Sequence, residues 1–549
     1  MKILLVFLSV FFLLGEQNKT PSYDIVIYGG TSAGVMAAVQ AARMGKSVLL
    51  ICPSMHLGGL SSSGLGWTDL GKSNTIGGLS LEFYQSLHKY YERKDAWRQE
   101  TRDEFITKVK MGNQWDRAMR PMNGIMPVFE PHVAELIFED FIKQHKVVVV
   151  KDRWLNRENG VMKSGGKIRS VKMLSGEVYS GKVFIDASYE GDLMAAAAVS
   201  FTVGREPNNQ YKELFNGIRT ENALQNQLPV GIDPFIIKGD TSSGLLDGVN
   251  ESSGGIDGSG DKKIQAYCYR MCLTNDPANR VMVTKPVNYK EEDFEIVLRA
   301  AESGWANYFK LDRMPNKKTD SNNAGGISTD YIGMNYNYPE ASYTERKSIE
   351  KTHLYWQAGF MWTIQNHPRV PDSIRTRYKE WGLPLDEFSG NGHWPYQIYV
   401  REARRMVSDL VISEQYCLNK IRSEKPIALG SYTMDSHNAQ RYLAKDDTKG
   451  YYIRNEGDVQ NPVNKPYGID YESIVPKVSE VTNLIVPVCV SASHIAYGSI
   501  RMEPVFMMLG QSAATAAAIA IEDGVNVQDI NYSKLRNRLL KDKMILAEE

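Results

Sequence analysis

The stretch "YDIVIYGGTSAGVMAAVQAARMGKSVLLIC" constrains the fold more than any other part of the chain. Residues 23–28 form an apolar run of strand length, and residues 33–44 are helix formers. Gly45 supplies a stop before a second apolar run at 47–51. Strand, glycine turn, helix and strand in that order begin a doubly wound α/β fold. Gly29 makes the tight turn and Gly34 lets the helix pack on the strand, so that N–H groups at the helix start can meet a pyrophosphate. The turn departs from G-x-G-x-x-G twice. Thr31 stands at the second glycine, although Gly30 beside it keeps the loop slim, and Cys52 stands where an acid for a ribose hydroxyl is expected. A glycine turn that binds nothing is the alternative reading of this segment alone.

A second glycine run follows the second strand. "HLGGLSSSGLG" sets Gly58, Gly59, Gly64 and Gly66 among Ser61, Ser62 and Ser63. This composition cannot pack a core, but it can lay backbone and hydroxyls along an extended ligand. A nicotinamide enzyme needs no such run. A flavin, whose ribityl chain and ring reach inward from the pyrophosphate, does, and the paired glycine loops therefore favour FAD. Further on, Pro131 opens a helix with Ala134, Ile137, Phe138 and Phe141 on its apolar face, and a β-branched strand follows at 147–150. "KIRSVKMLSGEVYSGKVFIDA" alternates as a hairpin turning at Ser175 and Gly176, whose last strand delivers Asp186. Glu190, Gly191 and Asp192 lie at the next strand-to-helix junction, where acids either contact cofactor hydroxyls or cap the helix.

The character changes from residue 205 to about 430, with longer loops, many aromatics and no βαβ rhythm. The aromatics are mostly core material, with a few left to line a pocket. "GLLDGVNESSGGIDGSGDKK" is a surface loop whose Asp257 and Asp261 lack calcium-loop spacing. "YVREARRMVSDLV" reads as a helix with Arg401, Arg404 and Arg405 on one face, solvated or able to hold a carboxylate or phosphate. Towards the end, an apolar strand through Val490 precedes a polar turn with His494, Tyr497 and Arg501. Pro504 then opens an alanine-rich helix that Gly524 closes. Six alanines between 513 and 520 allow a very close neighbour, and the helix dipole would stabilise charge on a reduced flavin.

With 549 residues the chain exceeds one simple core. The expected division is an FAD-binding part at 21–204, an inserted α+β substrate or cap domain at 205–430, and a closing FAD-binding part at 431–549. Acidic and basic residues number 64 each, which excludes a field that gathers nucleic acid or anionic membrane and leaves a small ligand as partner. Five scattered cysteines without C-x-x-C spacing read as buried thiols, and no metal site is expected. Lys2, an apolar run at 3–14 and "GEQNKT" have the form of a secretory signal over residues 1–20, with an uncleaved anchor as the alternative. No later membrane span is expected, and the product would be periplasmic or secreted.

The blocks "DIVIYGGTSAGVMAA", "HLGGLSSSGLGWTD", "FIDASYEGDLMAAAAVSFTVGRE", "YVREARRMV", "YTMDSHN" and "SASHIAYGSIRMEPVFMMLGQSAATAAAIA" occur in this order. Together the chain resembles the FAD-dependent oxidoreductase family with a glutathione-reductase-type FAD domain, some of whose members are labelled xanthan lyases. The resemblance implies that Gly29, Gly30, Thr31, Ser32, Ala33 and Gly34 cradle the FAD pyrophosphate. It sets His56, Leu57, Gly58, Gly59, Ser61, Ser62, Ser63 and Gly64 beside the ribityl chain and ring, and Asp186 and Ala187 near the adenosine half. Gly510, Gln511 and Ser512 would meet the flavin at the closing helix.

A flavin enzyme of this build moves a hydride from a substrate carbon to the cofactor while a base takes the adjacent proton. His437 is the first choice for that base and His494 the second, because an imidazole titrates near working pH. Arg401, Tyr497 and Arg501 are the candidate substrate contacts. Export and aromatic content point to a sugar-like alcohol, with an electron acceptor that the sequence does not name. A polysaccharide lyase or glycan-binding protein on the same fold, and a nicotinamide-dependent dehydrogenase, are the rival readings.

Overall fold

The computed structural model describes residues 21–111 and 124–547, so the expected signal at 1–20 lies outside the described residues. Strand β1 (Ser22–Tyr28), helix α1 (Ser32–Arg43) and strand β2 (Val48–Cys52) follow the expected order. After helices α2 (Gly78–Tyr91) and α3 (Pro131–Gln144) come β3 (Val148–Lys151), β4 (Val161–Ser164), β5 (Lys167–Lys172) and β6 (Val178–Asp186). The parallel core runs β3-β2-β1-β6, and β7 (Leu484–Ile485) pairs with β6. One sheet thus joins strands from both ends of the chain, as a discontinuous FAD-type domain requires.

The period-two alternation of β1 explains what covers each face. Ile25 and Ile27 enter the large core with the apolar faces of α1 and α3, whereas Val26 and Tyr28 enter a second core with Ile168, Val171 and Met173. That second face is covered by the antiparallel β4 and β5; β5 and the start of β6 form the hairpin read from the sequence, with Ser170 opposite Ser180 and a turn at Gly176. Helices therefore pack on one face and a small antiparallel layer on the other.

Helix α4 (Tyr343–Asn366) belongs to the inserted region, and two helices follow β7, α5 (His494–Ile500) and α6 (Glu503–Asp523). The approach of α6 to α1 is so close that a Cβ on Gly510 would overlap the Ala33 carbonyl oxygen. Among the described residues α6 is the one helix long and apolar enough to cross a membrane, and it is a core helix, buried from Glu503 to Ala520.

Strand pairing crosses both expected domain boundaries. Phe201–Thr202 pairs with Arg405–Met406, and Val249–Asn250 pairs with the strand Gln440–Asp446. The stretch "YVREARRMVSDLV" is not a helix. Its arginines diverge to separate buried carboxylates, Arg401 to Asp330 at 2.8 Å, Arg404 to Asp192 at 2.9 Å, and Arg405 to Glu206 at 2.5 Å and to Glu402. A single helical face would have left three buried guanidiniums competing for one set of partners, and an unpaired buried charge costs about 3–5 kcal/mol. All five cysteines are buried and free. Asp257 caps the backbone at Thr220, and Asp261 pairs with Arg205 at 2.7 Å.

Gly510→Ala is expected to lower stability by about 1–3 kcal/mol through overpacking, read as a drop in the urea midpoint. An unchanged midpoint would contradict the backbone contact between α1 and α6.

Candidate active site

A cavity of about 280 Å³ opens at the carboxyl ends of β1 and β2, against the start of α1. This is where an open α/β sheet binds nucleotides. Gly29, Gly30 and Thr31 form one wall, Cys52, Ser54, His56 and Gly59 another, and Glu190 and Asp192 a third. Gly29, at φ +112°, turns the chain here, and a Cβ on Gly34 would overlap the Gly29 carbonyl oxygen. Thr31 departs from the glycine pattern for a local reason. Its hydroxyl accepts from Gly34 N at 3.2 Å, capping α1, and donates to the Ala187 carbonyl at 2.7 Å. One side chain thereby ties the β1 turn to the end of β6, while the N–H groups of Ser32 and Ala33 at the first turn have no intrahelical acceptor.

Several expected contacts sit behind the wall. Asp186 accepts from Ser188 N, Ser188 Oγ and Met194 N at 2.6–3.0 Å, and burial pushes its carboxyl up to about 6. It stiffens the junction after β6, and Ala187 serves as the acceptor for Thr31. Leu57 and Gly58 are buried, with Ser62 donating to the Leu57 carbonyl at 2.5 Å, and a side chain on Gly58 would strike Phe138. Ser63 is buried, and Gly64 presses against the Arg270 carbonyl. His56 stacks on Tyr396 and bonds Glu135 at 2.9 Å.

The two glycine loops and the closing helix do converge, at a residue the sequence reading passed over. Glu503, the first residue of α6, accepts from Ser32 Oγ at 2.5 Å, Ser61 Oγ at 3.3 Å and Tyr189 OH at 2.7 Å. No cation among the described residues joins this group, and burial pushes the Glu503 carboxyl up to about 7. Gly510, Gln511 and Ser512 lie elsewhere. Gly510 presses on Ala33, Gln511 Oε1 accepts from Leu79 N at 2.7 Å, and Ser512 donates to the Ile427 carbonyl at 2.9 Å. The reason is helix rise: Gly510 lies about 10 Å beyond Glu503 along the axis, so only the helix start reaches the loops.

A second cavity, of about 420 Å³, is strongly polar. Asn226, Asn322, Asn323, Gln225 and Gln460 contribute amides, Tyr399 and Tyr432 rings, and Arg270, Arg501, Asp435 and His437 charge or titratable groups. Tyr399 lines this cavity, while its neighbours Ile398 and Val400 line the first, so residues 398–400 form a partition with alternating side chains. His437 Nδ1 bonds Asp330 at 2.7 Å, and Nε2 lies 3.6 Å from Asp435. Against the burial penalty, Arg401 and His437 hold Asp330 well below the usual carboxylate range, and Asp435 is held at about 2 by His437 and Arg501. Arg501 bonds Asp435 at 2.8 Å and the Tyr399 hydroxyl at 3.0 Å.

The other expected contacts are one layer deeper. Arg401 lies beneath His437 on Asp330, and Tyr497 is buried in α5 with its ring near Phe506. His494 is buried between Ser436 and Glu402, and burial with Arg405 lowers its pKa to about 3. It lines neither cavity, which removes the ground for a base there.

Glu130, His132 and Glu387 place potential metal-ligand atoms within 4.8 Å of one another. Lys318 fills that position as the cation, bonding Glu130 and Glu387 at 2.8 Å each and Asp386 at 2.9 Å. Sequence reasoning missed this cluster, because its members come from three distant segments.

A glycine-walled cavity at a helix N-terminus, set across a thin partition from a polar cavity holding a histidine, is the arrangement of a nucleotide-cofactor enzyme with the cofactor beside its substrate. The chain belongs to the FAD dependent oxidoreductase family, whose model matches residues 24–539. FAD is its cofactor, and flavin redox chemistry is its reaction class. No curated protein matches the chain. Among solved structures it is similar to L-proline dehydrogenase from P. horikoshii, at 16% identity over 34% of this chain and 59% of that one, TM-score 0.23. NikD, an unusual amino acid oxidase essential for nikkomycin biosynthesis, matches at 15% identity over 34% and 57%, TM-score 0.22. Thioredoxin reductase from T. acidophilum matches at 16% identity over 30% and 34%, TM-score 0.17. The chain thus spans less than two thirds of the length of each of these structures. Family membership favours the flavin reading over the nicotinamide one.

Between about pH 4.3 and 7 the folded chain keeps a proton on Glu503 that the unfolded chain has released, so stability falls as pH rises through that window and levels above it. Glu503→Gln removes this slope. Its stability relative to wild type is expected to improve by up to about 3 kcal/mol from pH 5 to pH 8, followed by chemical denaturation at each pH. A difference that stays constant over that range would show that the carboxyl does not titrate there.

Proposed function

We propose that this FAD-dependent enzyme oxidises a small, carbohydrate-like alcohol held in the polar cavity, with His437 as the base. The observation that carries this reading is the lining of that cavity, where amide side chains offer donors and acceptors together beside Tyr399 and Tyr432. Hydroxyl groups need both kinds of partner, and a sugar ring adds apolar faces that stack on aromatics. FAD, when bound, supplies the hydride acceptor. The pyrophosphate would lie against Gly29, Gly30 and Thr31, where the N–H groups of Ser32 and Ala33 await an acceptor, with the ring end towards Gly59 and residues 398–400.

His437 Nε2 takes the hydroxyl proton. Asp330, anchored by Arg401, fixes the ring through Nδ1 and stabilises the imidazolium that results. Arg501, held by Asp435 and bonded to Tyr399, sets a hydroxyl of the substrate in place. The apolar run at 3–14 behind Lys2 supports export to the periplasm or beyond. Cell fractionation tests that part.

His437→Gln is expected to lower kcat by about 10²–10⁴-fold while leaving flavin content unchanged. Anaerobic bleaching of the bound flavin by sugar alcohols, aldoses and oligosaccharides tests the substrate class. Bleaching by amino acids and by none of the polyols would overturn it.

A further inference from the structure

We infer that Glu350, on the inserted helix α4, binds the ribose diol of the adenosine half of the cofactor, taking the place of the acid that position 52 lacks. The acid of a dinucleotide fold follows the second strand, where a carboxylate accepts from ribose hydroxyls. Cys52 occupies that position. Its buried thiol is pushed up to about 11, and it donates weakly to the His56 carbonyl at 3.5 Å. A neutral thiol offers no pair of acceptor oxygens for a diol.

The cavity that Cys52 lines is closed on another side by Tyr343, Arg346, Lys347 and Glu350. These positions are spaced i, i+3, i+4 and i+7, one face of α4. Two of them are committed to the protein. Tyr343 OH donates to the Leu155 carbonyl at 3.1 Å, and Arg346 grips Asp192 through both terminal nitrogens at 2.7 and 2.9 Å. The Asp192 carboxylate is in turn committed to Arg157, Arg346 and Arg404. Glu350 is held on one oxygen, where Tyr338 OH donates to Oε1 at 3.1 Å. Its Oε2 has no hydrogen-bond donor among the described residues. Cys52, at the position beside which such a fold holds its ribose, lines the same cavity as Glu350, and this shared lining is what brings the helix carboxylate to the ribose side. Glu190, which shares the Tyr338 hydroxyl at 3.4 Å, is the competing acid.

The contact concerns the cofactor alone, and nothing in it depends on the substrate. The full-length chain, freed of flavin, is titrated with FAD, ADP and 2′,3′-dideoxy-ADP for wild type, Glu350→Gln and Glu190→Gln, with binding followed by flavin fluorescence or calorimetry. Thermal midpoints of the unliganded variants check that each is folded. Wild type is expected to prefer ADP over the dideoxy nucleotide by roughly ten- to a hundredfold, the scale of hydrogen bonds to a charged group. Glu350→Gln should bind FAD weaker by a similar factor and lose the preference, while Glu190→Gln keeps it. Preference retained in Glu350→Gln, or lost in Glu190→Gln alone, would overturn the assignment.

Discussion

The contact between α1 and α6 fixes most of this molecule. The chain begins with the strand and helix that make the glycine turn, and it ends with a helix that must lie against that same helix almost backbone to backbone. Gly510 and the alanines after it make this possible, because a side chain at 510 would meet the Ala33 carbonyl oxygen. Once α6 is seated there, its first residue has one place to go. Glu503 enters the space between Ser32 and Ser61, and the two glycine loops are tied through one carboxyl group. The small-residue composition of α6 thus serves packing, and the chemistry sits at its end.

Charge is handled differently from shape. The interior holds many ionised groups, and nearly every one is matched: Arg401 with Asp330, Arg405 with Glu206 and Glu402, Arg270 with Asp320, Lys318 with three carboxylates. Such pairs add little net stability, since desolvation offsets much of their attraction, but losing one partner is costly. They fix the geometry of the polar cavity. His437 is oriented by an aspartate that is itself oriented by an arginine, so the position of a ring nitrogen is set by groups two contacts away. Glu503 and Glu350 are exceptions, carboxyl groups with no ion pair among the described residues; Glu503 is held by three hydroxyl groups, and Glu350 lines the nucleotide cavity.

Local patterns made the sheet and its helices legible. The strand-turn-helix of residues 23–44, the hairpin at Gly176, the Pro131 helix and the alanine-rich closing helix are all visible in apolar periodicity and in the placement of glycine and proline, and each forms as read. The arginine stretch misled because helical and non-helical readings of "YVREARRMV" share the same composition, and buried carboxylates from far along the chain decided between them. The face of α4 that closes the nucleotide cavity looks in sequence like any solvated helix face. Nothing local marks Glu350 as different from Glu345, which caps its own helix.

The sequence by itself determined the fold class, the cofactor family and the two glycine loops, because these rest on backbone geometry that only certain residues allow. Tertiary structure decided which residues share a cavity. That is a matter of which carboxylates find cations and which are left open, and such pairings join residues hundreds of positions apart, like Ser32 to Glu503 and Asp192 to Arg404. Side-chain periodicity carries information over a few turns, whereas ion pairing and burial are settled by the whole packed chain.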